Sequence, residues 1–321
     1  MSQVRPILLA AAVLLAPPAF AGDRAHDWLI RISNAARGLN YDGVFVYQHD
    51  HQLEALRVVH RNEDGRSRER LVSLNGAPRE ILRDDRTVHC YLPDENSVVV
   101  EHRRADTKSF PTLLPERLAV LDENYVIELG RTARVAGRRA QQVIIRPRDT
   151  LRYGYHLWAD VDTGLLLKAD LLDTKGETIE QFMFTQIAIG NVPETALKPE
   201  NTGTDLRWHR VSDDTETGSG TVSAWTVANP PKGFRLTMQM ARKEPVRNVP
   251  VEHLVLSDGL ATVSVFIEKA GSSSAMAMQG ASHMGAVNAF GRRLGEHQVT
   301  VVGEVPQATV ALIGNALAAR R

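Results

Sequence analysis

The chain has 321 residues, with 38 basic and 38 acidic side chains and one cysteine. Balanced charge argues against the broad basic face that phosphate contacts require, so no nucleic-acid partner is expected. A lone thiol excludes an intramolecular disulfide, so the fold must rest on its apolar cores. The length, as a soft prior, gives two domains.

Residues 1–21 have the pattern of a cleavable export signal. Arg5 supplies a positive charge, Pro6–Leu15 is almost continuously apolar, and Ala19-Phe20-Ala21 puts small residues at the two positions a signal peptidase reads. The apolar run is too short for a bilayer, which needs about 20 residues. No cysteine follows the cut to carry a lipid anchor. The mature chain is therefore expected to be exported and soluble.

A large domain, residues 22–190, comes next. Trp28, Ile32, Ala35 and Leu39 fall at helical spacing, and Gly38 marks the helix end. Strands are predicted at Asp42–Gln48, Leu53–His60, Arg68–Leu74, Arg86–Leu92 and Ser97–His102. Further strands are predicted at Tyr125–Leu129, Gln141–Arg146, Tyr153–Asp160, Leu165–Leu172 and Thr178–Ile187. Asp64-Gly65, Asn75-Gly76, Asp162-Thr163-Gly164 and Lys175-Gly176 supply turns between them. Helices do not alternate with the strands, so the sheet should be antiparallel.

Several of these strands are apolar on both faces: Val44–Tyr47, Val98–Val100, Val143–Ile145, Leu165–Leu167 and Phe182–Phe184. A half-buried antiparallel strand would alternate instead. Only the N-terminal helix and a short Pro115–Leu121 segment are available to cover them. The pattern leaves two arrangements open, a cavity for an acyl chain or apolar peptide and a tightly packed sandwich. In the first, Phe45, Tyr47, Val98, Val100, Ile144, Leu166 and Phe182 are the lining candidates.

Residues 191–220 have the composition of a linker, with Pro193, Pro199, Asp213, Asp214, Glu216 and Gly218-Ser219-Gly220. A smaller α+β domain, residues 221–321, follows. Its strands are expected near Val222–Val227, Phe234–Met240, Glu252–Leu256, Ala261–Ile267 and Gln298–Val302. After a Gly/Ser/Met-rich loop, Gly271–Gly280, the spacing of Met284, Val287, Phe290 and Leu294 predicts a helix with Ser282 as its N-cap. Pro306 opens a last helix.

No catalytic constellation emerges. Gly-x-Ser-x-Gly, His-Glu-x-x-His, a phosphate-binding loop and paired zinc cysteines are all missing. His49-Asp50-His51 lacks further ligands nearby and reads as a hairpin tip. Asp160–Gly164 begins like a calcium loop but lacks the later ligands, so a tight hairpin fits better. Cys90 has no base beside it, since its strand neighbour His89 points to the other face. Neither enzyme activity nor a cofactor or metal is expected.

Three blocks carry a family resemblance: Tyr41-Asp42-Gly43-Val44-Phe45-Val46-Tyr47; Tyr153–Asp160 with its Asp162-Thr163-Gly164 turn; and Gly280–Ala289 followed by Val299–Pro306. They resemble the RseB/MucB family of periplasmic sigma-factor regulators, over nearly the whole mature chain. The resemblance implies a large domain like that of lipoprotein carriers, a curved, unclosed antiparallel sheet with helices on its concave side. It also implies binding to the periplasmic part of a membrane-spanning anti-sigma factor, shielding it from regulated proteolysis, with lipid or lipopolysaccharide as the releasing ligand. Met276, Met278 and Met284 are candidate partner contacts because methionine adapts to varied apolar surfaces; simple disorder of their loop is the alternative. A lipid or lipoprotein carrier is the rival reading of the large domain, and formation of a homodimer is left open by the sequence.

Overall fold

The computed structural model describes residues 21–50, 52–102, 114, 118–200, 205–210, 223–243, 250–270 and 278–320. Residues 1–20 of the predicted signal, His51, Met276 and the acidic run Asp213–Glu216 lie outside them.

Helix α1 (Ala21–Gly38) opens the described chain. Ala25, Leu29, Ile32 and Ala35 point inward and are at most 6% exposed, the three-and-four spacing of an amphipathic helix. The strands that follow are β1 (Tyr41–His49), β2 (Gln52–Glu63), β3 (Arg66–Ser73), β4 (Glu80–Arg83), β5 (Thr87–Leu92) and β6 (Ser97–His102). After a 3-10 turn at Leu118–Glu123 come β7 (Tyr125–Val135), β8 (Arg138–Pro147), β9 (Gly154–Asp160), β10 (Leu166–Leu172) and β11 (Thr178–Ile189). With β12 (Arg207–Arg210) they form one sheet in the order β12-β6-β5-β4-β3-β2-β1-β11-β10-β9-β8-β7. Every pairing is antiparallel except β12 with β6, and the edge strands β12 and β7 do not pair with each other, so the sheet stays unclosed.

The register sorts the side chains into two faces, because strand residues alternate. Tyr41, Phe45 and Tyr47 of β1 share a face with Val58 and Leu56 of β2 and with Phe184 and Phe182 of β11. Helix α1 covers one half of that face, burying Leu157, Leu165, Leu166 and Phe184 to 1% exposure or less. The three phenylalanines pack edge to face at 5.7–5.8 Å.

The opposite face is covered by the stretch whose composition reads as a linker. Val192 and Leu197, beside the 3-10 turn Glu194–Leu197, bury themselves against Val59. Arg70, 3% exposed, bonds Glu80, the Ala196 carbonyl at 3.2 Å and Glu200 at 2.6 Å. The chain then lies along the sheet edge as β12. So residues 192–200 and 205–210 are docked parts of the large sheet, a correction to the linker expectation. Polar composition concealed a buried ion-pair network.

The smaller domain holds β13 (Trp225–Val227), β14 (Arg235–Lys243), β15 (Pro250–Ser257), β16 (Thr262–Lys269), β17 (Gly280–Met284), β18 (Val287–Leu294) and β19 (His297–Gly303). Helix α2 (Gln307–Ala316) and β20 (Leu317–Ala319) close the chain. Its main sheet runs β14-β15-β16-β19-β18-β17, and β13 pairs with β20. Val263, Val265, Val299, Val301, Val310 and Ile313 are fully buried between sheet and helix. Gly314 lets α2 approach, since a Cβ there would come 2.6 Å from the Phe290 ring.

The helix predicted from Ser282 to Leu294 is instead the β17–β18 hairpin. Gly285 turns it at φ +59°. Gly291 faces the Met278 carbonyl so closely that any side chain would collide. Pairing of Asn288–Leu294 with β19 overrides a spacing that suited a helix equally well.

Candidate functional site

The uncovered half of the α1 face forms a cavity of about 470 Å³, within the usual range for ligand sites. Its walls are Phe45, Tyr47, Leu56, Leu71, Tyr155, Ala169, Leu171 and Phe182, with Glu54, Arg79, Glu180 and Glu304 at the border. Glu304 comes from the loop between β19 and α2, so both domains build the wall. A larger hollow of about 770 Å³ at the β2–β3 and β4–β5 turns is lined by Glu63, Asp64, Arg66, Arg68, Asp84 and Arg86 among others. It offers an apolar chain nothing to bind.

Of the lining candidates, the structure brings Phe45, Tyr47 and Phe182 together in the cavity. Val98 and Val100 pair with Tyr91 and His89 and pack with Tyr91, Leu82 and Leu206 on the other face of the sheet. Ile144 pairs with Glu128 and His156, one step out of phase with the inward Val143 and Ile145. Leu166 is fully buried in the core under α1. Apolar runs alone do not distinguish the two faces; the pairing does. Leu56, Leu71, Tyr155 and Leu171 were missed for the same reason.

Glu180 joins the cavity to the domain junction. The Tyr47 hydroxyl donates to its Oε2 at 2.6 Å, and the Ala286 backbone N–H, beside the β17–β18 turn, donates to its Oε1 at 3.1 Å. Burial, then the neighbouring Glu180, hold the Tyr47 phenol far above its usual range, so it stays a donor. Burial, together with Glu304, Asp258 and Glu180, does the same for Tyr155.

Behind the cavity lies a buried polar node between the domains. The Arg152 guanidinium, 1% exposed, sits 2.7 Å from Asp258 and 2.5 Å from Asp149, and donates to the Lys232 carbonyl at 2.6 Å. The Tyr125 hydroxyl donates to Asp258 at 2.9 Å, and the Leu260 and Ala261 N–H groups donate to its other oxygen. Asn288 donates to the Tyr153 hydroxyl at 3.0 Å and to the Val305 carbonyl at 2.9 Å, and Thr309 donates to the Leu151 carbonyl at 2.6 Å. Leu260 enters the large core, while Tyr153, Leu171 and Ala286 form a small shared cluster. Of the methionine candidates, Met284 is 75% exposed at the end of β17, next to the turn that meets Glu180. Met278 is half-buried, with its carbonyl accepting from Gln298 at 2.9 Å.

Sequence profiles of the MucB/RseB N-terminal domain and the MucB/RseB C-terminal domain match residues 24–202 and 219–318. The chain belongs to the MucB/RseB family. The sigma factor AlgU regulatory protein MucB of Pseudomonas aeruginosa is 38% identical over 310 residues, 94% of this chain and 93% of that protein. The sigma-E factor regulatory protein RseB of Escherichia coli K12 is 28% identical over 308 residues, 95% of this chain and 94% of that one. A complex of Pseudomonas aeruginosa MucA and MucB gives a TM-score of 0.72 at 34% identity, covering 93% of this chain and 99% of that chain. MucB alone gives 0.63 at 32% identity, covering 93% and 98%.

Proposed function

We propose that this chain is an exported regulator that holds the periplasmic part of a membrane-anchored anti-sigma factor, shields it from proteolysis, and lets it go when a lipid or lipopolysaccharide chain fills the cavity. The partner comes from the kinship: MucB of Pseudomonas aeruginosa is named as a regulator of sigma factor AlgU and has been solved with MucA. The compartment comes from the signal pattern of residues 1–21. The observation that carries the release step is the shared wall. Glu180 faces the cavity and also holds the Ala286 N–H of the smaller domain, so cavity and junction compete for one carboxylate.

A ligand moves a two-state protein only by its difference in affinity for the two states. In this reading, lipid prefers the arrangement in which the smaller domain has lifted from Glu180, and the partner prefers the docked one. MucB has been solved both alone and with MucA. Binding is the activity proposed, in line with relatives named as sigma-factor regulatory proteins.

The test mixes the mature chain, the periplasmic segment of its anti-sigma factor and the membrane protease that cuts it, with and without lipid. Protection that lipid reverses is expected. Protection that lipid leaves intact would refute the release step. Absence of both complex and protection would refute the regulator and favour a lipid carrier, to be followed by a transfer assay. Light scattering of the same samples reports whether a homodimer forms.

A further inference from the structure

The β7–β8 hairpin concentrates charge of one sign in a chain that is neutral overall. From Arg131 to Arg148 the sequence holds six arginines and no acidic residue, against 38 charges of each sign in the whole. Three of the six are engaged. Arg138 pairs with Asp160 at 2.9 Å, Arg146 with Glu128 at 3.0 Å, and Arg148 donates to the Asp122 carbonyl at 3.2 Å. The guanidinium groups of Arg131, Arg134 and Arg139 are exposed and form no ion pair or hydrogen bond among the described residues. Arg134 and Arg139 stand directly opposite each other in the ladder, where side chains start about 5 Å apart and like charges repel. Arg31 of α1 reaches the same end of the sheet: it donates to the Val161 carbonyl at 2.9 Å, and the Val161 N–H donates to the Arg139 carbonyl at 2.9 Å. Of the acids around them, Asp160 and Glu128 are engaged, and the exposed Asp162 carboxylate bonds none of these arginines. The hairpin turns through Ala136 at φ +47° and Gly137 at φ +78°, and a Cβ on Gly137 would meet nothing within 4 Å, so the tip projects into open space.

We infer that this hairpin tip, with Arg31 beside it, is a docking surface for an anionic phospholipid bilayer. A projecting tip cannot enclose a small anion, but it can set several guanidinium groups on a plane of phosphates at once. Each guanidinium presents a fork of donors that matches phosphate oxygens. A second copy of the chain would bring arginine against arginine, and the exposed Arg131, Thr132, Arg134 and Arg139 give a peptide no apolar pocket. The inference does not rest on the cavity. It places the chain beside the membrane in which the proposed partner is anchored.

The experiment sediments the full mature chain with vesicles of phosphatidylcholine, with and without phosphatidylglycerol. At low salt the chain should bind the vesicles that contain phosphatidylglycerol and ignore the others, and binding should fall as salt rises. Each arginine at such a surface contributes a factor of about five, so R131Q/R134Q/R139Q should weaken binding about a hundredfold. R66Q/R86Q/R210Q removes the same charge from exposed arginines elsewhere and should change binding by no more than about threefold. All six side chains are exposed, so both variants should melt with the parent. Equal loss in the two variants would reduce the effect to net charge and overturn the proposal. Undiminished binding by R131Q/R134Q/R139Q would assign vesicle capture to the cavity and overturn it too. Release by inorganic phosphate at an ionic strength where chloride has no effect would mark a free-anion site instead. Capture of polyglutamate in preference to vesicles would mark an acidic-peptide site, and either result would overturn the bilayer.

Discussion

Replacing Arg152 with alanine tests whether the buried node holds the two domains together. Arg152 and Asp258 are 1% and 0% exposed, and their groups lie 2.7 Å apart. The guanidinium also lies over the rings of Phe234 and Tyr125, 5.1 and 5.7 Å from their centroids. Removing it leaves Asp258 buried with only the Tyr125 hydroxyl and two backbone N–H groups to support its charge. Breaking a buried ion pair from one side costs about 3–5 kcal/mol. Those three surviving bonds put this case near the lower figure, and the lost ring contacts raise it again by about 1 kcal/mol. We expect R152A to lose about 4 kcal/mol and its urea unfolding curve to split into two steps, because a junction without its node no longer couples the domains. D258N should be milder, about 2 kcal/mol, since the amide keeps the acceptor for Leu260 and Ala261. The R152A/D258N double variant should fall well short of the sum, revealing coupling between the two sites. A loss below about 1 kcal/mol for R152A, with a single unchanged transition, would refute the claim that this node carries the junction.

Three further outcomes follow from named contacts. Gly233 sits at φ +87°, and a Cβ there would lie 2.2 Å from Asn124 Oδ1; G233A should lose about 2–3 kcal/mol in denaturant titration, against about 1 for G295A, which has the same handedness but open space. Burial alone would raise the Asp160 carboxyl, but bonds from Arg138 and Thr163 outweigh it and hold it below its ordinary 3.8. Its contribution to stability is therefore full above that value and disappears as pH falls through the lower folded one, so thermal melts of D160N should be less steeply acid-sensitive there. Leu197, 8% exposed, pins the segment after β11 to Val59; L197A should speed cleavage by a glutamate-specific protease after the exposed Glu194 several-fold while the melting of the smaller domain is unchanged.

Local chemistry made most strands legible. Glycine turns such as Asp64-Gly65 and Lys175-Gly176 and runs of β-branched residues mark strands whose bounds shift by a few residues at most. The β7–β8 hairpin escaped because its turn places Ala136 at φ +47°, a conformation alanine seldom adopts. The β17–β18 hairpin was misread because four apolar positions can satisfy a helix period by accident. Arg152 reads as a surface charge inside Arg148-Asp149-Thr150-Leu151-Arg152; its burial depends on Asp258, over a hundred positions away. The cavity was half legible. Two-sided apolarity left a cavity and a packed sandwich both open, and deciding that Tyr47 shares a face with Phe182, while Val100 does not, required the register of every strand between them.

The parallel pairing of β12 with β6 has a consequence for reach. The chain leaves the large sheet at Arg210, on the edge strand farthest in sheet order from β7 and heading away from the rim that Tyr125 and Arg152 occupy. Residues 211–222 alone connect it to Ser223, a tether that can extend to at most about 45 Å. A smaller domain lifted from its seat would thus stay at a local concentration in the millimolar range. Any partner or ligand wedged into the junction works against that leashed competitor, and once it departs the seat is refilled without a search through bulk solution.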